Sequence, residues 1–472
     1  MQKKQNFNSF SFFILTSSVV FATGLFAVVE NNQKEYDKKY TTITKSKQVF
    51  MKQVEGLNDK EQDLFMLGRS FFTIPWVEAP SATTARDGLG PLFNANTCIH
   101  CHPNNTSGSV YTQNNTISRS YISRLSIPSN GSVEHQNMLK FNGFVQEPKY
   151  GAQISINAVE GVPYEAKQII QYKNITVTYP DKEIVYLKQP LRGVENQLSD
   201  LQYGKLDQNV TITNRIAPGL VGLGLIEQIT DKQILQNEDI EDKDKDGISG
   251  KANIVYSIQH KDFRVGRYTW KGSAPSVIHQ TAAAASNDMS LTNDFFPNEN
   301  CTSSQEECLK APKGENVHGK KVFDLPFQRL EAIAFYLNNL KIPKSDITQK
   351  EGEKLFSSIG CVKCHIPSFE GNNGYEIKPF TDFLLHDMGE GLSDGRVEFK
   401  ATAREWKTAP LWGLGKFKQA TNKNPEFLHD GRAKTIEEAI LWHGGESESI
   451  KRNFMNLSKQ QRESIIKYIE EL

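Results

Sequence analysis

Behind Asn58, apolar residues recur at helical spacing: Leu64, Phe65, Leu67, Phe71 and Phe72. Asn58 can accept the first free amides of that run, so a capped amphipathic helix is predicted there. A glycine-rich tight loop, 86–91, follows it. From about residue 104 to 218 the texture changes. Runs such as 153–159, 174–179 and 183–187 are alternating and β-branched, with Gly, Pro and Asn between them, and they predict strands and hairpins. Helical spacing returns at 326–340 through Leu330, Ile333, Ala334, Tyr336, Leu337 and Leu340, and Pro343 stops it. A further helix is predicted over 348–358. A last one, capped by Ser458, carries Ile465, Ile466, Tyr468, Ile469 and Leu472.

Each of the two halves of this pattern encloses one cysteine motif. Cys98-Ile99-His100-Cys101-His102 and Cys361-Val362-Lys363-Cys364-His365 both have two cysteines three positions apart and a histidine immediately after. Zinc sites and thioredoxin-like centres also use paired cysteines, but zinc fingers usually place their histidine farther off and a redox pair does not require one. Cys-x-x-Cys-His is the attachment site of a c-type haem: the sulfurs form thioethers with the two vinyl groups, and His102 or His365 ligates the iron as proximal ligand. The expectation is therefore two covalent haems. The layout helix, motif, helix occurs twice, so the predicted fold is mainly α, two cytochrome c-like domains of one haem each, with a β-rich insertion in the first. The expected divisions are 51–342, with the insertion at about 104–300, and 343–472.

Composition changes this picture little, and charge narrows it. The 55 Lys and Arg balance 55 Asp and Glu, and without a basic surplus no nucleic-acid partner is expected. Lys3 and Lys4 precede an apolar stretch, 10–29, and a polar spacer, 30–50, follows. Residues 1–29 thus predict export, either as a cleaved signal peptide or as a retained membrane anchor of roughly 20 residues. The expected location is the periplasm or the outer face of the cytoplasmic membrane. Cys301 and Cys308, the cysteines left over from the motifs, are expected to form a disulfide in that oxidising setting. Asp242, Asp244 and Asp246, with Gly247 behind them, match the first half of a calcium loop. Asn253 stands where such a loop places its bidentate Glu, and a solvated acidic turn is the alternative.

Longer motifs carry a resemblance. The segments 385–389 (Leu-His-Asp-Met-Gly), 394–396 (Asp-Gly-Arg), 407–412 (Lys-Thr-Ala-Pro-Leu-Trp), 428–432 (Leu-His-Asp-Gly-Arg) and 435–440 (Thr-Ile-Glu-Glu-Ala-Ile) resemble the di-haem cytochrome c peroxidase superfamily. Segments 87–94, 222–227, 246–250 and 441–446 make the chain more similar still to its di-haem oxidoreductase branch, also labelled peroxidase or thiol oxidoreductase. The resemblance implies an oxidoreductase that passes electrons between two haems to a small redox substrate such as hydrogen peroxide, supplied by a donor protein or small cytochrome. A non-catalytic electron carrier and a thiol or sulfur-compound oxidoreductase are the alternatives. It also implies a carboxylate acid or base beside an open iron, for which Glu227 is a candidate, a buried salt bridge or a helix-start carboxylate being the other reading of that residue. The peroxidase relatives place a Met after the Thr-Ile-Glu-Glu-Ala-Ile helix as distal ligand of the second haem. Here His443 holds that place, with Met388 as runner-up.

Overall fold

The computed structural model describes residues 31–83, 85–314, 316–317 and 320–472. The apolar stretch 10–29 and the start of the polar spacer lie outside them. No helix among the described residues is long and apolar enough to cross a membrane.

Helix α1 (Asp59–Thr73) starts as its sequence predicts. Asn58 accepts from the Glu61 amide while Glu61 accepts from the Asn58 amide, which satisfies two donors that the first turn leaves free. Its buried face, Phe65, Gly68, Phe71 and Phe72, crosses the later helix α3 (Phe327–Asn338), which buries Leu330, Ile333, Tyr336 and Leu337. Gly68 sets the closeness of that crossing: a Cβ there would sit 1.8 Å from the Ala332 carbonyl oxygen. Phe65 and Phe72 close on Tyr336 at ring-centroid distances of 5.1 and 5.4 Å.

Between these two helices the chain forms ladders. Strands β1 (Tyr121–Ser126) and β4 (Thr211–Ile216) pair antiparallel, and β2 (Tyr172–Thr178) forms a hairpin with β3 (Ile184–Pro190). The runs predicted at 174–179 and 183–187 are this hairpin, whereas only Asn157–Ala158 of 153–159 is strand. Helix α2 (Val277–Met289) follows, with Ser276 accepting from the His279 amide.

In the C-terminal part α4 (Lys350–Ser358) leads into the second cysteine motif. It crosses the last helix, α6 (Lys459–Glu471), where Gly352 approaches Ser464 and Phe356 packs on Tyr468 at 5.4 Å. Ser458 caps α6 with Gln461 as its reciprocal partner. Between lie the ladder of β5 (Leu385–Asp387) with β6 (Glu405–Lys407), much irregular chain, and the short helix α5 (Ile436–Leu441).

The expected fold class needs correction. The described residues are 31% helical and 18% strand, spread over many short sheets, and among them all-helical cytochrome c-like domains are not evident. The helix crossings beside each motif are present, but they are small parts of a mixed structure. The chain around the motifs is held by two-stranded ladders and buried ion pairs, and neither device has a helical period in the sequence.

Contacts also run across residue 343. Arg462 of α6 pairs with Asp181 (3.0 Å) and Glu183 (2.6 Å) in the turn of the β2–β3 hairpin, and the Tyr179 hydroxyl donates to Glu437 at 2.7 Å. Cys301 and Cys308 form a disulfide within the polar loop before α3, with their Cα atoms 5.7 Å apart.

A cavity shared by two cysteine motifs

The first motif begins one short helical turn, Cys98–Cys101, whose C-terminal end delivers His102. The imidazole of His102 donates from Nδ1 to the Pro218 carbonyl at 2.9 Å. At the second motif Gly360, in a left-handed conformation (φ 108°), turns the chain out of α4 into a single 3-10 turn, Cys361–Lys363. His365 then donates from Nδ1 to the Phe380 carbonyl at 2.9 Å. Burial holds both rings neutral, at a pKa of about 4. A neutral ring whose Nδ1 carries the proton presents a bare Nε2, the form that binds a metal.

Both motifs line one cavity of about 510 Å³, and apolar side chains make most of its wall. All four motif cysteines are free thiols, and burial pushes each of them up, so they are protonated at neutral pH. Paired buried thiols, bare imidazole nitrogens and a large apolar space fit a haem at each motif: an apolar ring to fill the space, vinyl groups for the sulfurs and an iron for each Nε2.

The other sequence-predicted residues divide. His443 lines the same cavity and repeats the pattern of the two motif histidines: Nδ1 is bound to the Ala439 carbonyl at 2.8 Å. It stands just past the end of α5, the helix of segment 435–440. Met388 also lines the cavity, and its sulfur accepts from the Ser447 hydroxyl at 3.8 Å. His386 lines the cavity too, but both of its ring nitrogens are engaged, Nδ1 by Glu446 (2.8 Å) and Nε2 by Asp382 (2.9 Å).

Glu227 is exposed and caps α2, accepting from the Val277 amide at 2.7 Å, and it is not on the cavity wall. It is the helix-start carboxylate of the alternative reading. In the acidic loop, carboxylate oxygens of Asp242 and Asp244 gather with one of Asp239, all within 4.8 Å of one another. Asp246 pairs with Lys363, of the second motif, at 2.8 Å.

Several residues on or beside the cavity wall carry no local sequence signal. Asp288, on α2, lines the cavity near Cys98 and Cys101; Gln153 donates to it at 2.8 Å, and burial pushes its carboxyl up. On the cavity wall, the Trp406 ring stacks on His429 at 3.8 Å with 10° between planes, while Lys271 and Arg215 lie over Trp406 at 4.3 and 5.3 Å. Burial lowers His429 to about 3 and keeps it neutral. Below the stack, Asp394 pairs with Arg215 (2.8 Å) and Lys271 (3.2 Å), and Glu398 pairs with Arg215 (2.8 Å) and Arg396 (3.0 Å). Segments 394–396 and 428–432 thus turn out to be parts of one buried ion cluster and the histidine stack above it.

A family model described as "Di-haem oxidoreductase, putative peroxidase" matches residues 38–472. No curated protein matches the chain. Among solved structures, the hydrazine synthase of Kuenenia stuttgartiensis, in crystals pressurised with xenon, is similar at 20% identity over 36% of this chain, with a TM-score of 0.22. The match spans 63% of that solved chain.

Proposed function

The chain belongs to the di-haem oxidoreductase family, and from that premise we propose that it is an exported c-type di-haem enzyme. It reduces hydrogen peroxide or a related small substrate with electrons passed between its two haems. The observation that carries this reading is the pair of Cys-x-x-Cys-His motifs on one apolar cavity, each with its histidine Nδ1 committed to a backbone carbonyl. Bound haem supplies a redox-active iron and, where one axial side stays open, a seat for a small oxidant.

The chain's own residues supply the rest. Cys98, Cys101, Cys361 and Cys364 anchor the porphyrins, and His102 and His365 fix one side of each iron. His443, whose Nδ1 is held by the Ala439 carbonyl, would offer its Nε2 as a further ligand to the second haem. At the first motif Asp288, held by Gln153, keeps and returns a proton, while the Glu227 carboxylate is engaged by the Val277 amide at the start of α2. The apolar wall excludes water around these groups. Electrons arrive from a donor protein or small cytochrome at the periplasmic side or the outer face of the cytoplasmic membrane, where residues 1–29 direct the chain.

The test is the spin state of each ferric haem together with peroxide turnover by the reduced protein. One high-spin and one low-spin iron with turnover are expected, and Asp288→Asn lowers kcat. Two low-spin irons and no turnover would make the protein an electron carrier instead.

A further inference from the structure

Five cationic side chains line the shared cavity: Arg124, Arg215, Arg267, Lys407 and Lys451. Three of them have carboxylate partners within the chain. Arg215 is paired with Asp394 and Glu398, Arg267 with Asp231, and Lys451 with Glu448. Among the described residues, Arg124 and Lys407 have none.

Lys407 is 8% exposed, and its ammonium donates only to the Thr408 carbonyl, at 3.2 Å. The acid whose field reaches it, Asp382, is already spent: one oxygen is bound to His386 Nε2 and the other accepts from the Leu384 amide. Arg124 is in the same position. Of the acids whose fields reach it, Glu398 is held by Arg215 and Arg396, and Asp288 by Gln153. Burial lowers Arg124, and it lowers Lys407 to about 8, as happens when a charge leaves water without a counter-ion in contact. Such a charge is costly until an anion meets it.

The two cations are also distributed. Arg124 projects from β1 near Asp288, which in turn neighbours Cys98 and Cys101. Lys407 ends β6, and the next residue ties it to the second motif: the Thr408 carbonyl accepts from Thr381, one position after the Phe380 carbonyl that holds His365. One cation without a carboxylate partner stands beside each motif, on a wall that is mostly apolar.

We propose that Arg124 and Lys407 are the propionate anchors of the two haems, Arg124 for the haem on Cys98 and Cys101, and Lys407 for the haem on Cys361 and Cys364. The assignment rests on the haem reading above. A porphyrin of this kind is apolar over its faces and carries its carboxylates at one edge, so it supplies both what the wall accepts and what the two cations lack. A free inorganic anion has the same charge but leaves the apolar wall unfilled.

The experiment uses the full-length holo-protein and the uncharged variants Arg124→Met and Lys407→Met, with Arg124→Lys and Lys407→Arg as charge-keeping partners. Covalent haem is counted by mass in each. Resonance Raman then reads the propionate-bending modes, and a redox titration reads each midpoint. The expected result is that Lys407→Met shifts the propionate mode and lowers the midpoint of the second haem alone, because losing a nearby positive charge favours the ferric state. Arg124→Met does the same at the first haem alone, and the charge-keeping variants restore most of each midpoint. If a Met variant accumulates no holo-protein, the charge-keeping variant decides against wild type: altered donor geometry shifts the propionate mode, whereas an unchanged mode overturns the assignment. Two covalent haems with propionate modes indifferent to all four variants also overturn it, as does a wild-type spectral response to added chloride or nitrate that the Met variants lose, which assigns the cations to an exogenous anion. A wild-type protein without covalent haem overturns the underlying reading and this one with it.

Discussion

Asp394 offers a perturbation whose cost follows from its contacts. One carboxylate oxygen accepts from Thr213 Oγ1 at 2.7 Å and pairs with Arg215 at 2.8 Å; the other accepts from the Arg396 amide at 3.0 Å and faces Lys271 at 3.2 Å. The residue is 6% exposed, and although burial opposes ionisation, Lys271 and Arg215 hold its carboxyl well below the usual range. Asp394→Asn keeps the shape and removes the charge. Arg215 is then left with Glu398 alone, and Lys271 with backbone carbonyls such as that of Thr402. Breaking a buried pair from one side costs about 3–5 kcal/mol, because the stranded charge stays out of water. Denaturant unfolding of the holo-protein, followed by backbone circular dichroism, measures the loss. The double variant Arg215→Met with Asp394→Leu removes charge of both signs and is expected to lose less than the sum of the single variants. A loss under about 1 kcal/mol for Asp394→Asn, the worth of an exposed pair, would refute the view that this cluster is dry and mutually dependent.

Three further outcomes are expected. His443→Gly converts the second haem to a high-spin form open to small ligands, while Met388→Leu leaves its spectrum nearly unchanged; a sulfur-to-iron charge-transfer band that Met388→Leu abolishes would reverse that assignment. Burial opposes ionisation of Glu398, but Arg215 and Arg396 prevail and lower its carboxyl from 4.5 to about 2. Its contribution to stability is therefore complete above about pH 4.5 and lost as pH falls through about 2, so Glu398→Gln should flatten the acid limb of the stability curve in that window, and an unchanged slope contradicts it. Calcium added after chelation is expected to raise Tm through Asp239, Asp242 and Asp244, and Asp246→Asn should leave that rise intact; identical melting curves with chelator and with calcium remove calcium from the account.

What could be read from the sequence was local. The caps at Asn58 and Ser458, the α1, α3, α4 and α6 helices, the 172–190 hairpin and both cysteine motifs each carry their signal within a few residues, as periodicity or fixed spacing. The fold class failed because repeating one local layout does not make the rest of each half helical. Chain such as 359–435 is held by pairs like Arg215 with Asp394, whose partners lie 179 positions apart, and no window of sequence reveals them. The same holds for the site. His443, singled out by its place after the 435–440 helix, does line the cavity. Asp288 carries no such mark, because only the folded chain shows that its carboxylate lines the cavity while that of Glu227 caps a helix. Asp246 satisfied a spacing rule, but Lys363, 117 positions away, takes its carboxylate.

The central claim is that each Cys-x-x-Cys-His motif carries a covalent haem. Intact mass of the denatured protein, produced with a working haem-maturation system, tests it directly. The account predicts a mass increase of two haems, falling to one in either Cys98→Ala with Cys101→Ala or Cys361→Ala with Cys364→Ala. A wild-type chain at its bare polypeptide mass, or one that gains a single haem, would contradict it.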